Sequence, residues 1–224
     1  MSTARNLIKN RVKAGNTVIG VGCYSAALTA THEDKVIKVG NTTNDPWLDF
    51  YEEVIKHNPK NIHLPKVFNI HIDYDNDYYV AVVEKLYEHN DRFMGDIEGT
   101  DELEDTVYHC INNGSVSQFD FFVALDDCRT CYGEFDEYQL YAACNQIQDL
   151  IRRSWSDWGY CDCGEGGFSD SCECGSERLS LDLHSNNFLY REDGTLVIND
   201  PVCDTDMEDV DDLSNWADEQ ELTD

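Results

Sequence analysis

Positive charge is scarce in this chain: its 224 residues hold 16 Lys+Arg against 45 Asp+Glu, a formal charge of −29. A surface of that sign repels phosphate backbones, so direct nucleic-acid binding is not expected, while basic partners are drawn in at raised on-rates. Solubility alone would also account for the charge. No stretch approaches 18 apolar residues, and MSTARNLIKNRVKAG at the start holds no apolar signal core, so neither a membrane span nor secretion is expected. There is no Pro-rich linker, internal repeat or heptad array, and the absence of G-x-x-x-x-G-K-[ST] excludes a P-loop. Hydrophobic residues nevertheless reach 41%, which supports a globular core in one domain or two small lobes.

The stretch 181–200, LDLHSNNFLYREDGTLVIND, is dense in chemistry. Phe188–Tyr190 and Leu196–Ile198 flank Asp193-Gly194, which predicts a tight hairpin between two short strands. Such a hairpin returns the chain, so Asn187 just before it and Asp200 just after it come side by side as two oxygen ligands of the kind Mg²⁺ accepts. Asp182, five residues before Asn187, supplies the carboxylate that a phosphoryl-transfer site uses to orient an attacking hydroxyl. A surface hairpin in an Asp-rich chain could hold the same residue types by accident.

A second constellation narrows the choice. Thr17–Leu28 alternates small and apolar residues around Gly20 and Gly22, as a hairpin does when its backbone must lie close over a ligand. Lys35–Gly40, KVIKVG, then reads as a short strand with Lys38 inside it. A Gly-rich hairpin followed by a strand lysine is the arrangement that covers and pins nucleotide phosphates in protein kinases. The ordered set Gly20, Gly22, Lys38, Asp182, Asn187 and Asp200 is far harder to obtain by chance than either part.

On these residues the chain resembles a known family. GVGCYSAALTATHEDKVIKVG and LDLHSNNFLYREDGTLVINDPV look like the two conserved blocks of the early-expressed protein kinase of autographiviruses, short-tailed phages that carry their own single-subunit RNA polymerase. The resemblance is strong in those blocks and loose between them. It implies a serine/threonine kinase that uses ATP and Mg²⁺ to modify host proteins in the host cytoplasm, including the transcription and RNA-processing machinery. By motif, Lys38 would contact the phosphates, Asp182 would be catalytic, and Asn187 and Asp200 would hold metal; the match also covers Ser25-Ala26-Ala27 and an Asp-Pro-Val at 200–202.

The chain departs from that pattern at three places. His184 stands where most protein kinases have lysine, as in small-molecule phosphotransferases, and could face the transferred phosphate as a titratable donor. Pro201 follows the metal Asp directly, so a Phe-based switch is absent. Only 24 residues follow Asp200, where a helical substrate-binding half would be usual. A kinase-fold protein that inhibits a host factor through its acidic surface, and a kinase for a small cationic molecule, are the alternatives.

Elsewhere the pattern is coarser. Pro46–His57 has helical spacing with Asp45 or Asn44 as cap, and would offer Lys38 a carboxylate from Glu52 or Glu53. These neighbours point about 100° apart on a helix, so one faces inward, and Glu53 is preferred. Pro65–Ile72 and Tyr78–Leu86 read as strands, the second ending near Glu84 and Leu86, whose backbone would meet adenine. Asp101–Asn112 and Glu134–Trp155 read as helices; in the second, Tyr138, Leu140, Tyr141, Cys144, Ile147, Leu150 and Ile151 form the apolar stripe. Cys161, Cys163, Cys172 and Cys174 bracket a Gly-rich loop, as a structural Zn²⁺ site, as reduced thiols or in a redox role, with Cys128 and Cys131 upstream. The scattered histidines, His63 among them, read as surface or turn residues.

The expected fold is therefore α+β, a two-lobed protein-kinase-like domain with a minimal C-terminal lobe. Residues 1–86 form an antiparallel sheet with one helix, 87–203 a short helical lobe, and 204–224 an acidic tail with Leu213 and Trp216 as anchors. Expected partners are host proteins with basic surfaces, and the sequence does not reach oligomeric state.

Overall fold

In the computed structural model residues 2–43, 45–88, 100–113, 117–128, 136–156, 179–184, 187–204, 213, 216 and 217 are described. The alternation of small and apolar residues builds three antiparallel strands, β1 (Val18–Val21), β2 (Ser25–Thr29) and β3 (Lys35–Gly40). A second hairpin, β4 (Val67–Asp73) and β5 (Tyr78–Glu84), completes a five-stranded antiparallel sheet in the order β1-β2-β3-β5-β4. Its turn closes on Asp77, a non-glycine residue at φ 52°. Burial works against charge on Asp77, yet donors from Thr42 and Thr43, both backbone N–H and hydroxyl, hold its carboxyl below the usual range.

The two faces of this sheet do different work. One face carries Ala26, Leu28, Ile37 and Val39, buried against Ala4 and Ile8 of α1 (Thr3–Lys13) and against Leu213, Trp216 and Ala217. With the helix at 46–55, α1 makes two helices in a segment, 1–86, expected to hold one. A cap does mark α1: Ser2 Oγ accepts from Arg5 N at 3.3 Å. Leu213 N donates to Cys23 O at 2.9 Å, and the Trp216 ring lies under Arg5 and Lys9 at 5.5 and 5.3 Å.

The other face carries Lys38, which pairs in register with Ala27 on one side and Ala81 on the other. Two methyl-sized neighbours leave the lysine stem uncrowded. Beside it Gly40 pairs with Tyr79, and a Cβ on Gly40 would stand 2.6 Å from the Tyr79 ring, so glycine is required there by space. Tyr79 in turn stacks on Trp47 with centroids 5.4 Å apart.

Asp45 caps the next helix by accepting from Trp47 N at 2.9 Å. That helix, α2 (Pro46–Phe50), continues as a π-helical turn over Tyr51–Ile55, closed by Lys56 N donating to Tyr51 O at 2.8 Å. The remaining helices are α3 (Thr100–Asn113), α4 (Gln118–Cys128) and α5 (Glu137–Ser156). Leu103, Val107, Cys110 and Ile111 of α3 are buried, as are Leu140, Ala143, Cys144, Ile147, Leu150 and Ile151 of α5. The α5 stripe differs from expectation at its start, where Tyr138 is 67% exposed. Two small antiparallel ladders follow: β6 (Leu179–Leu181) with β9 (Val202–Asp204), and β7 (Phe188–Tyr190) with β8 (Leu196–Ile198).

The chain is thus α+β, and it divides into two compact units: Met1–Leu48, Pro65–Leu86 and Met207–Asp224 in the first, Asp49–Leu64 and Tyr87–Asp206 in the second. The expected boundary at 86 is one edge of this division. The segment 49–64 falls in the second unit, and the C-terminal segment, expected as a separate tail, belongs to the first. No described helix is long and apolar enough to cross a membrane. Trp216→Ala should lower the unfolding free energy by about 3 kcal/mol, the usual cost of emptying a buried aromatic site, measured by urea denaturation; a loss below about 0.5 kcal/mol, typical of surface changes, would show that the segment is not part of the core.

Candidate active site

The helical unit carries Asp182, His184, Asn187 and Asp200, and backbone ladders set their places. Asp182 leaves β6 at the point where its N–H donates to Pro201 O at 2.8 Å, which fixes it beside the start of β9. Asn187 enters β7, and its carbonyl accepts from Asn199 N at 2.9 Å. Asp200 is the next residue, so the hairpin brings Asn187 and Asp200 to neighbouring strand ends as the sequence predicts. The turn between them has Gly194 at φ 86° and Asp193 Oδ1 accepting from Thr195 N at 3.0 Å.

Side chains then join Asp182 to Asn187. Asn187 Nδ2 donates to Asp182 O at 2.6 Å and lies 3.2 Å from His184 Nε2, while Asn187 N donates to His184 O at 2.8 Å. Asn187 is 8% exposed, and with its amide nitrogen committed, Oδ1 is the end left to accept. His184 Nε2 stands 3.7 Å from Asp182 Oδ1, with both side chains roughly half exposed. The arrangement presents a solvent-reachable carboxylate, an anchored amide oxygen and a second carboxylate on the neighbouring strand end.

That donor set suits Mg²⁺, which binds one or two protein oxygens and completes its shell with phosphate and water. Among the described residues no three His, Cys, Asp or Glu side chains form a metal-holding group. An ion on Asn187 and Asp200 does not require such a trio. Cys161, Cys163, Cys172 and Cys174, the candidate Zn²⁺ ligands, lie outside the described residues, as does Cys131.

In the sheet unit, Lys38 Nζ stands 4.5 Å over the Trp47 ring, which holds its stem on the sheet face. Gly20 lies inside β1, paired with Ala27, and Gly22 begins the β1–β2 turn, where its N–H donates to Ser25 O at 2.8 Å. Neither glycine is required by packing: a Cβ on Gly20 would meet nothing within 4 Å, and on Gly22 only Ser25 O at 3.9 Å. Their φ angles lie outside the left-handed region as well. Glu84 closes β5, its Oε1 accepting from Lys66 N at 2.7 Å, and Leu86 is half-buried at the end of that segment. Glu53, in the helical unit, forms an ion pair with Arg153 of α5 at 2.9 Å, a partner that the spacing alone did not indicate.

His63 and Arg191 were not among the predicted site residues, yet both hold the hairpin. His63 is fully buried, where a surface or turn position was expected. Its Nδ1 donates to Leu196 O at 2.8 Å, and its carbonyl accepts from Ile198 N at 3.0 Å. Arg191 donates from Nη1 to Ile62 O and from Nη2 to Leu64 O at 3.1 Å. Gln139 of α5 takes the same loop by both ends, through Asn61 Nδ2 to its carbonyl and Ile62 N to its Oε1. Only the cluster Asn61-Ile62-His63-Leu64 between helix and strand hinted at this, and no periodicity marks it.

No family model matches the chain, and no curated protein matches it either.

Burial lowers the His63 pKa, and the nearby Arg191 charge lowers it further; the Leu196 and Asp136 carbonyls and the Asp136 charge oppose this without cancelling it. The unfolded chain therefore binds the proton more readily. The stability that His63 contributes is complete above about pH 6.5 and is lost as the pH falls below that value. In thermal unfolding from pH 7.5 to 5.5, His63→Asn, which keeps a donor for Leu196 O, should show a smaller drop than wild type; equal drops would contradict the assignment.

Proposed function

We propose that the chain is an ATP- and Mg²⁺-dependent serine/threonine protein kinase with a minimal, kinase-like two-unit fold, encoded by a phage and directed at host proteins. The observation that carries this reading is the 2.6 Å bond from Asn187 Nδ2 to Asp182 O. It couples the residue that would orient the acceptor hydroxyl to the residue that would hold metal, and it turns the amide oxygen away from Asp182 for that purpose. The two glycines that packing does not explain support it, because positions 20 and 22 carry no side chain to hold a ligand away from the backbone.

In this reading Asp182 accepts a hydrogen bond from the substrate hydroxyl and aligns it with the γ-phosphorus. The hydroxyl oxygen forms the new P–O bond as the bond to the β-phosphate oxygen breaks, and its proton passes by way of Asp182 to solvent, leaving ADP and the phosphoester. Lys38 neutralises nucleotide phosphate charge, and Asn187 and Asp200 would hold Mg²⁺. The ion, when bound, would supply neutralisation of phosphate charge, which together with positioning accounts for most of the barrier reduction in phosphoryl transfer. His184, whose Nε2 stands 3.7 Å from Asp182 Oδ1, would donate toward the transferred group.

A second reading, a binding protein that inhibits a host factor, is favoured by the −29 charge. The two separate cleanly on purified protein. Asp182→Asn should unfold at the wild-type temperature and lose phosphate transfer to protein substrates by about a thousandfold or more, within the range seen when a catalytic group is removed. Retained transfer would reject Asp182 as the catalytic residue, and no transfer from either protein would favour the inhibitor.

A further inference from the structure

Helix α4 is apolar on two sides. Phe121 and Leu125, four residues apart, are fully buried and form its inward stripe. Phe119 and Val123 each stand two residues earlier, about 200° round the helix, and are 75% and 49% exposed. A helix with an apolar stripe facing the core ordinarily turns polar residues outward, so the second apolar side marks a contact surface. We propose that this outer side of α4, together with Tyr138 of α5, docks a basic amphipathic segment of a partner protein. The docking holds whether or not the chain transfers phosphate, because binding alone defines it.

The exposed residues form one patch. Phe119, Phe122 and Val123 have the i, i+3, i+4 spacing that places side chains on a single helix face. Tyr138, 67% exposed, sets its ring edge-on to Phe122 with centroids 4.9 Å apart, which carries the patch from α4 to α5. Phe122 is half-buried and also meets Tyr141 at 6.1 Å, so the middle of the patch is anchored from below. Single apolar residues on a surface need no partner, but a joined aromatic group does. Aromatic rings of this kind each bury roughly 150–250 Å² in a contact, which matches the apolar face of one helix.

Charge selects the occupant. Residues 117–128 and 136–151 contain no Lys, Arg or His, against Asp120, Asp126, Asp127, Asp136, Glu137 and Asp149. Asp120 follows Phe119 directly and is exposed, and Asp136 precedes Tyr138 by two residues. Donors from Gln139, its backbone N–H at 3.1 Å and its amide at 2.8 Å, hold the Asp136 carboxyl below the usual range and keep it ionised. An apolar centre with a rim of one sign is complementary to an apolar face edged by Lys and Arg. A second copy of this chain does not meet that requirement, since a symmetric contact would set the same carboxylates against each other at a net charge of −29 per chain.

The test is fluorescence anisotropy of two labelled helical peptides of equal charge titrated with the full chain, one with Leu on one face and Lys on the other, the second with Ser in place of Leu. The Leu/Lys peptide should bind wild type at least tenfold more tightly than the Ser/Lys peptide. Phe119→Ser and Tyr138→Ser, each at an exposed position and each unfolding at the wild-type temperature, should weaken Leu/Lys binding by about tenfold, the scale of losing one aromatic anchor. Phe68→Ser, at an exposed aromatic of the sheet unit, should leave it unchanged. Equal binding of the two peptides, or equal affinity in wild type and both patch variants, would overturn the proposal. A wild-type dimer in sedimentation that Phe119→Ser dissociates would overturn it as well, by making a second copy the occupant.

Discussion

A buried imidazole sets the position of the hairpin on which the candidate site is built. His63 binds Leu196 O through its ring and Ile198 N through its carbonyl, while Arg191 reaches back from the end of β7 to the carbonyls of Ile62 and Leu64. Through Gln139 the same four-residue loop is fastened to α5. A two-stranded hairpin is marginal by itself in water. Bound on both strands to a loop that is itself bound to the longest described helix, it gains a fixed place, and Asn187 and Asp200 gain it too. Burying a histidine without its charge is the cost of this arrangement, and it makes the site's support sensitive to acid.

Local chemistry was legible in the sequence, and long-range chemistry was not. The D-G turn and its short apolar flanks gave β7 and β8 to the residue, because turn type and alternation are properties of neighbouring residues. The helix expected over 46–57 with Asp45 or Asn44 as cap is present over 46–55 with Asp45 capping it, although its passage into a π turn was not visible. Leu213 and Trp216 stood out as apolar residues in an acidic run, and both are buried on the sheet. His63, Arg191 and Gln139 carry no such mark. Their partners lie more than 70 residues away in the chain, and a histidine that donates to a buried carbonyl looks, in sequence, like any loop histidine. Tyr138 failed as a core residue for a related reason: helical spacing gives the width of a stripe but not its rotation, and α5 turns that position outward.

Electrostatics acts on two scales here. The overall −29 charge shapes which molecules approach, and it does so weakly per residue and under screening by salt. Several described cations lie on aromatic rings or backbone carbonyls, Lys38 on Trp47, Arg5 and Lys9 on Trp216 and Arg191 on the 62–64 loop, while Arg153 pairs with the Glu53 carboxylate. Lys38, the lysine of the proposed nucleotide site, pairs in register with Ala27 and Ala81 and has its Nζ over the Trp47 ring.

The central claim is that Asn187 and Asp200 together hold the Mg²⁺ that accompanies ATP. Calorimetric titration of ATP into the protein, with and without Mg²⁺, tests it most directly when wild type is compared with Asn187→Ala and Asp200→Ala. The account predicts that Mg²⁺ tightens ATP binding to wild type by tenfold or more, the loss of an ion ligand removing about 1.4 kcal/mol or more, and that each variant, still folded, loses most of that gain. ATP binding that ignores Mg²⁺ in wild type, or that keeps its full Mg²⁺ dependence in both variants, would contradict it.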